Sequence, residues 1–175
     1  MADFEIAHSK TAVKEGGYVN NEKDPGGETN HGITKYVAMR YGYTGDMKTL
    51  PVETAKAIYK KAYWDTLYLD SVVDQDVASE IFDTGVNCGI GTSAGFVQKI
   101  LNAFNKEGTL WNDLKEDGVL GMASISALNR AIDLKFKPEI LKALNSLQGA
   151  HYIDIARRNT KLEVFVLGWF RNRVG

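Results

Sequence analysis

The chain has 175 residues, of which 44% are apolar, and this suits one compact unit or two small halves that share a core. The formal net charge of -1 provides no overall positive field, which argues against a nucleic-acid partner. A single cysteine, Cys88, excludes an internal disulfide, and three widely separated histidines offer no metal-ligand spacing. Because no apolar run approaches about 20 residues, we expect no insertion into a membrane.

The first predicted helix runs from Asp3 to Glu15 and points Glu15 toward the protein interior. Helical steps back from Glu15 reach mostly small or apolar residues on the same face: Ala12, Thr11, His8, Ala7 and Phe4. Two glycines then end the helix. Burial and the negative helix C-terminus both raise the pKa of such a carboxyl group. A carboxyl that stays protonated near neutral pH suits general acid catalysis. His8 is either a pocket residue or a hydrogen-bonded residue at the core edge.

A loop over residues 18–32, with at most a small β-hairpin, is predicted next. It carries two more carboxylates, Asp24 and Glu28, together with Thr29 and His31. Folded back toward the first helix, such a loop can supply a second carboxylate and a hydroxyl. Two carboxyl groups in different environments are the usual means of hydrolysing a glycosidic bond. The same residues also have a purely structural interpretation, since glutamates near helix ends and glycine-rich turns are common.

Helix start signals recur through the rest of the first half. Thr34 is a predicted N-cap of a helix that Gly42 closes. Pro51 begins another helix that ends near Trp64, and we expect Trp64 to lie in the core rather than in a cleft. Asp74 opens a third helix, whose acidic first turn suits the helix dipole.

The second half is also predicted to be helical. Thr92-Ser93 and Ser124 are expected N-caps of two helices, the second of which follows the turn Asp117–Gly121. Pro138 begins a long helix. A last helix over residues 162–173 is expected to close the core with three apolar side chains, Phe165, Leu167 and Trp169. The chain should therefore fold as a mainly α protein.

Short blocks in order along the chain carry a family resemblance: Glu15-Gly16-Gly17-Tyr18, Asp24-Pro25-Gly26-Gly27-Glu28-Thr29, Gly32-Ile33-Thr34, Ile58-Tyr59, Tyr63-Trp64-Asp65, Phe82-Asp83, Val86-Asn87-Cys88-Gly89, Gly168-Trp169-Phe170 and Arg173-Val174. They resemble family 108 of the glycoside hydrolases, which are phage and bacterial N-acetylmuramidases, some once labelled secretion activator proteins. The turn at residues 117–121 resembles that of peptidoglycan-binding modules, with Met122 where proline is common.

The resemblance implies a lysozyme-like helical fold. Residues 1–90 would form a catalytic region, and residues 91–175 a helical predicted peptidoglycan-binding region packed with it as one unit. The implied activity is hydrolysis of the β-1,4 bond between N-acetylmuramic acid and N-acetylglucosamine. Peptidoglycan glycan strands would be the partner, and the mechanism requires no cofactor.

The resemblance also implies roles for individual residues. Glu15 would be the general acid, while Asp24 and Glu28 compete for the role of second carboxylate. Thr29 is a third catalytic candidate. A carboxyl separation of about 5 Å would predict retention of configuration, and about 6.5–9.5 Å inversion. Substrate contacts are expected from Tyr18, Glu28, His31 and Asn87. Asn87 is alternatively a cap at the end of its helix.

The alternative function is a non-catalytic wall-binding or secretion-associated protein, because a fold does not guarantee its usual activity. Glu15 favours the enzyme, since an unused carboxylate on a partly apolar face is costly. Residues 1–5 lack the basic start and apolar core of a signal peptide. We therefore expect synthesis in the cytoplasm and action on the cell wall after release by another factor, as holins do for phage endolysins, or by another secretion route.

Overall fold

The computed structural model describes residues 1–12, 17–20 and 27–175 of the chain. Eight helices lie in these ranges: α1 Phe4–Ala12, α2 Lys35–Arg40, α3 Val52–Tyr59, α4 Gln75–Cys88, α5 Ile90–Phe104, α6 Met122–Asp133, α7 Lys137–Arg158 and α8 Glu163–Arg173. The mainly α prediction is confirmed. Within the described ranges, no helix combines the length and the hydropathy needed to cross a bilayer.

A small antiparallel sheet follows α1. Its three strands, β1 Val19–Asn20, β2 Glu28–Asn30 and β3 Ile33–Thr34, lie side by side in chain order. His31 and Gly32 connect β2 to β3, and their φ angles of 49° and 72° are both positive. Two consecutive positive φ angles let the chain reverse within two residues, as in a type I′ turn. The sheet therefore has one strand more than the single small hairpin that the sequence predicts.

Most predicted helix starts in the first half are confirmed. The Thr34 side chain accepts a hydrogen bond from the amide of Val37 at 3.3 Å, and Gly42 follows the end of α2. Pro51 directly precedes α3, which continues as a π-helical turn over Lys60–Trp64. Asp74 caps α4 by accepting hydrogen bonds from two backbone amides. These caps satisfy amide groups that a helix leaves unpaired at its start.

Two predicted caps in the second half are wrong. Helix α5 begins at Ile90, two residues before Thr92-Ser93, and α6 begins at Met122, so that Ser124 lies inside it. The Ser93 hydroxyl is fully buried and donates to the backbone carbonyl of Ile81 on α4 at 2.8 Å. Hydroxyl side chains satisfy backbone groups in several ways, so a serine near a helix start does not fix the cap. For Ser93, packing against α4 determines that the hydroxyl donates to Ile81 rather than capping its own helix.

The core is continuous and is organised around α4. This helix packs against α1, α5 and α7, so buried side chains of both halves join one cluster. Three rings, those of Phe4, Trp64 and Phe82, lie 5.8 Å apart edge to face in each pair. Trp64 is fully buried, as predicted, and its indole N–H donates to Asp70 Oδ1 at 2.6 Å. Such aromatic contacts fix α1 against α4.

The last helix does not close the core as expected. Phe165 and Leu167 on α8 are 53% and 68% exposed, and Trp169 packs on Tyr152 of α7 with ring centroids 4.9 Å apart. No residue of α8 is buried. The apolar residues of α8 are distributed around the helix, and one supporting helix can cover only part of them. Helix α8 is therefore a surface helix attached to α7.

The turn at residues 117–121 is held by α5. The Gln98 side chain of α5 donates to Asp117 Oδ1 at 3.0 Å and accepts from the amide of Gly118 at 2.9 Å. Gly118 has a φ of 72°, and a Cβ there would lie 2.9 Å from the carbonyl oxygen of Gly91. Both the backbone conformation and the close approach require glycine. The predicted Asp-Gly turn is thus an anchored connection before α6.

Candidate active site

The structure describes five of the seven site residues predicted from the sequence. The proposed acid Glu15 and the carboxylate Asp24 lie outside the described residues. Of the others, Tyr18 and Glu28 are brought together on the sheet. Thr29, His31 and Asn87 each lie in a different environment.

Glu28 is held on the sheet by two partners. The Tyr18 hydroxyl donates to Glu28 Oε1 at 3.2 Å, and the Lys35 ammonium lies 3.0 Å from Oε2. The hydrogen bond from Lys35 is the main reason that the pKa of Glu28 is lowered. Burial and the Glu28 contact both raise the pKa of Tyr18. Near neutral pH, Glu28 is therefore a carboxylate and Tyr18 a neutral hydrogen-bond donor, so Glu28 is unsuited to donating a proton.

Thr29 lies on the other face of the sheet from Glu28. Successive side chains in a strand point to opposite faces, so Glu28 and Asn30 share one face and Thr29 occupies the other. The Asn30 amide is buried and donates to the carbonyl of Met47 at 2.7 Å, which marks its face as the inward one. Thr29 is paired instead with Val19 and Thr34 on the neighbouring strands. Glu28 and Thr29 do not converge on one point.

His31 lies in the turn that is tied to the helical core through Tyr59. The Tyr59 hydroxyl donates to the backbone carbonyl of His31 at 3.0 Å. The Tyr59 ring also lies 5.4 Å from the ring of His8 on α1, which in turn packs 5.2 Å from Phe4. Burial lowers the pKa of His8, so this imidazole is neutral near pH 7. His8 thus occupies the core edge, and Tyr59 links α1 to the hairpin turn.

A buried polar cluster around Asp83 was not predicted as part of the site. Thr11 Oγ1 on α1 donates to Asp83 Oδ1 at 3.1 Å, and Asn87 Nδ2 donates to Asp83 Oδ2 at 2.9 Å. Arg173, the last residue of α8, lies 3.5 Å from Asp83 Oδ1, with both side chains nearly buried. The cluster joins three helices, α1, α4 and α8, at one carboxylate.

Asn87 belongs to this cluster, and its alternative role as a helix cap is wrong. It lies inside α4, which ends at Cys88, and its amide also donates to the backbone carbonyl of Asp83 at 2.6 Å. The spacing of Asp83 and Asn87 was an available signal, because side chains four residues apart are neighbours on a helix. Arg173 is 90 residues from Asp83 in the chain, and no local pattern connects the two.

A cleft of about 750 Å³ opens where α1, α4, α7 and α8 meet. Thr11 and Asp83 contribute to its wall, and Thr11 precedes Glu15 by four residues in the sequence. The volume lies within the range of about 300–1,000 Å³ that small-molecule sites occupy. The other described residues that line it are mostly polar or charged: Lys10, Asp76, Ser79, Glu80, Leu141, Lys142, Asn145, Ser146, Arg171, Asn172, Arg173, Val174 and Gly175.

The described residues offer neither a metal site nor an activated thiol. Across these ranges, no group of three His, Cys, Asp or Glu side chains is arranged to hold a metal ion. Burial raises the pKa of the Cys88 thiol, which keeps it protonated near neutral pH. A nucleophilic cysteine requires the thiolate. Cys88 therefore fills space beside α7.

Comparison with known families assigns both parts of the chain. Residues 8–89 match the family described as glycosyl hydrolase 108, and residues 93–174 match the predicted peptidoglycan domain. The chain is a family 108 glycosyl hydrolase with a C-terminal predicted peptidoglycan domain. It is thus a glycoside hydrolase directed at peptidoglycan, and the first match contains the Glu15-Gly16-Gly17-Tyr18 block and the sheet.

The fold is also found in a solved structure. Brucella abortus SagA is similar to the chain with a TM-score of 0.65 and 24% sequence identity, over 96% of this chain and 95% of SagA. At this identity, the similarity demonstrates the shared fold alone. A comparison with curated proteins found no significant match.

Proposed function

We propose that this family 108 hydrolase is a lysozyme-type N-acetylmuramidase. It cleaves the β-1,4 bond between N-acetylmuramic acid and N-acetylglucosamine in peptidoglycan. The observation that carries the proposal is the family match over residues 8–89, which includes the predicted acid and its loop. The second match, over residues 93–174, supports peptidoglycan as the polymer that the protein meets.

Glu15 is the general acid in this proposal. Its support is the apolar helical face that the sequence assigns to it and its place in the Glu15-Gly16-Gly17-Tyr18 block. Cleavage of a glycosidic bond requires a protonated carboxyl beside the leaving oxygen and stabilisation of an oxocarbenium-like transition state. Glu28 is a poor candidate for the acid, because Lys35 lowers its pKa.

Asp24 is the second carboxylate in this proposal, and Glu28 positions Tyr18. Both oxygens of Glu28 already have partners, and the Lys35 ammonium offsets the charge that would stabilise a positive transition state. Tyr18 and His31 then contact the sugar. Thr29 lies on the face of the sheet opposite Glu28, and in this proposal it acts together with Asp24 rather than with Glu28. Asn87 acts through Asp83, to which its amide donates two hydrogen bonds.

The roles of Asp24 and Glu28 can be distinguished by replacing each carboxylate with the matching amide. We expect Asp24→Asn to lower the cleavage rate by about 10²-fold or more, since it removes a charge that stabilises the transition state. Glu28→Gln keeps the shape of the side chain and should lower the rate by less than about tenfold. Initial rates on purified peptidoglycan measure both. The opposite ranking would transfer the second carboxylate role to Glu28.

The proposed function is tested by the chemistry of the products. Purified peptidoglycan is digested with the full chain, the new reducing ends are converted to alcohols with borohydride, and the sugar alcohols are identified. The proposal predicts ends derived from N-acetylmuramic acid. Ends derived from N-acetylglucosamine would identify a glucosaminidase instead. Binding to the wall without new ends would support the alternative of a non-catalytic wall-binding or secretion-associated protein, which the family match does not favour.

We further propose the division of labour that the sequence predicts. Residues 1–90 carry catalysis, and residues 91–175 contribute to wall binding. The packing of α4 on α5 and α7 and the Asp83–Arg173 contact support their action as one unit. An endolysin or a secretion-associated muramidase would both use this arrangement.

A further inference from the structure

The cleft between α1, α4, α7 and α8 has a lining that does not suit sugar rings. Its described lining residues include no aromatic side chain, and Leu141 and Val174 are the apolar side chains among them. Carbohydrate sites commonly stack aromatic rings on sugar faces, because a flat apolar ring matches the C–H face of a sugar. Charged and amide side chains are better suited to a ligand with many polar groups and charges.

Two cations on the cleft have no anionic partner among the described residues. Lys142 on α7 and Arg171 on α8 are both exposed and line the cleft, and neither forms an ion pair there. Four other charged side chains on the lining have charged partners: Lys10, Asp76, Asp83 and Arg173. Asp76 lies 2.8 Å from the Lys137 ammonium, and Asp83 lies 3.5 Å from Arg173. The cleft thus offers two available cations to an incoming carboxylate, which arginine and lysine bind with charge-assisted hydrogen bonds.

One wall of the cleft is close in sequence to the proposed acid. The lining also includes residues of both family regions. Thr11 in its wall belongs to the hydrolase region, four residues before Glu15, whereas Lys142 and Arg171 belong to the predicted peptidoglycan domain. In peptidoglycan, the muramic acid whose bond would be cleaved is also the sugar that carries the peptide stem. A cleft lined by residues of both regions is therefore suited to contact the stem while the glycan is cleaved.

We propose that this cleft binds the peptide stems of peptidoglycan, with Lys142 and Arg171 contacting stem carboxylates. The inference rests on the proposed muramidase function and specifies what the enzyme recognises besides the glycan. It makes a stem-bearing glycan a better substrate than a bare glycan. The preference acts through binding, because neither cation is required for the bond cleavage itself.

The test measures the preference of the full chain for stem-bearing glycan. Two teichoic-acid-free substrates are compared, intact uncrosslinked peptidoglycan and the same glycan after an amidase has removed the stems. For wild type, the ratio of kcat/KM on the two substrates should exceed about ten, the factor expected from one or two charge-assisted hydrogen bonds. The double variant Lys142→Gln/Arg171→Gln should bring that ratio close to one, mainly by raising KM on the stem-bearing substrate.

A matched control variant removes two other cations. Arg157 and Lys161 are exposed and do not line the cleft. Arg157→Gln/Lys161→Gln has the same charge change and should keep the wild-type ratio. A ratio lowered equally by both variants would indicate a general loss of attraction to an anionic wall, and would overturn the proposal. A wild-type ratio near one would also overturn it, without affecting the muramidase function.

Binding of a soluble muramyl peptide provides a readout that is independent of cleavage. Calorimetry should detect weaker binding to Lys142→Gln/Arg171→Gln by at least about tenfold. Amidation of the stem carboxylates should weaken binding to wild type by a similar factor and should have little further effect on the variant. If wild type binds the stem but cleaves neither substrate, the proposed function fails and the stem site stands. If wild type cleaves the glycan but does not bind the stem, the stem site fails.

Discussion

Replacing Glu15 with glutamine is expected to lower the rate of peptidoglycan cleavage by about 10²–10⁴-fold, the usual contribution of a general acid. Glutamine has nearly the shape of glutamic acid and offers no acidic proton to the leaving oxygen. A side chain on an apolar helical face should also tolerate the loss of its charge. The protein should therefore stay folded and bind the wall. Release of reducing ends and the thermal midpoint measure the two properties.

Glu5→Gln is the matched control for this experiment. Glu5 lies on α1, is exposed and pairs with Lys56 at the surface. Its replacement removes one carboxylate from α1 without touching the proposed site, so the cleavage rate should stay close to that of wild type. If Glu15→Gln cleaves peptidoglycan as fast as Glu5→Gln does, the acid is a different residue.

The second large effect concerns stability. Arg173→Met should lower the free energy of unfolding by about 3–5 kcal/mol, the cost of removing one member of a nearly buried ion pair. Asp83 would retain its hydrogen bonds from Thr11 and Asn87, but the cation from α8 would be gone. In a chain of this size, such a change lowers the thermal midpoint by roughly 6–20 °C. Thermal or urea unfolding, followed by circular dichroism, measures it.

The neighbouring residue Arg171 supplies the control, because Arg171→Met makes the same chemical change two residues earlier on α8 at an exposed position. Its effect on stability should be within about 0.5 kcal/mol. Adding Asp83→Asn to Arg173→Met should recover part of the loss, since it removes the carboxylate that faced the lost guanidinium. Similar unfolding curves for Arg171→Met and Arg173→Met would mean that the buried pair does not support the fold.

The sequence alone predicted features that depend on neighbouring residues. Caps at Thr34 and Asp74, the proline starts of α3 and α7, and the turn before α6 all follow from a residue and its next few neighbours. Burial of Trp64 was also predicted, since it continues the apolar face of α3. Side-chain periodicity and capping act within one or two turns of a helix, so they can be recognised without knowing the fold.

Predictions were wrong for side chains whose environment depends on which other element packs against them. Ser93 was expected to cap α5 but instead donates across to α4, and Phe165 was expected in the core but lies on the surface. A hydroxyl can satisfy its own helix or a neighbouring one, and an apolar residue is buried only if another element covers it. The local sequence does not determine which element packs against a given side chain.

Some features of the candidate site could likewise be predicted from the sequence, and others required the tertiary structure. Residue types alone predicted a carboxyl at the end of a helix and a loop with further carboxylates, and the family resemblance implied their chemistry. The ionised state of Glu28 and the buried cluster at Asp83 could be recognised only in the folded chain. Each depends on a partner from another element, such as Lys35 for Glu28 and Arg173 for Asp83. Charge states and buried pairs are set by distances between groups, and only tertiary structure determines those distances.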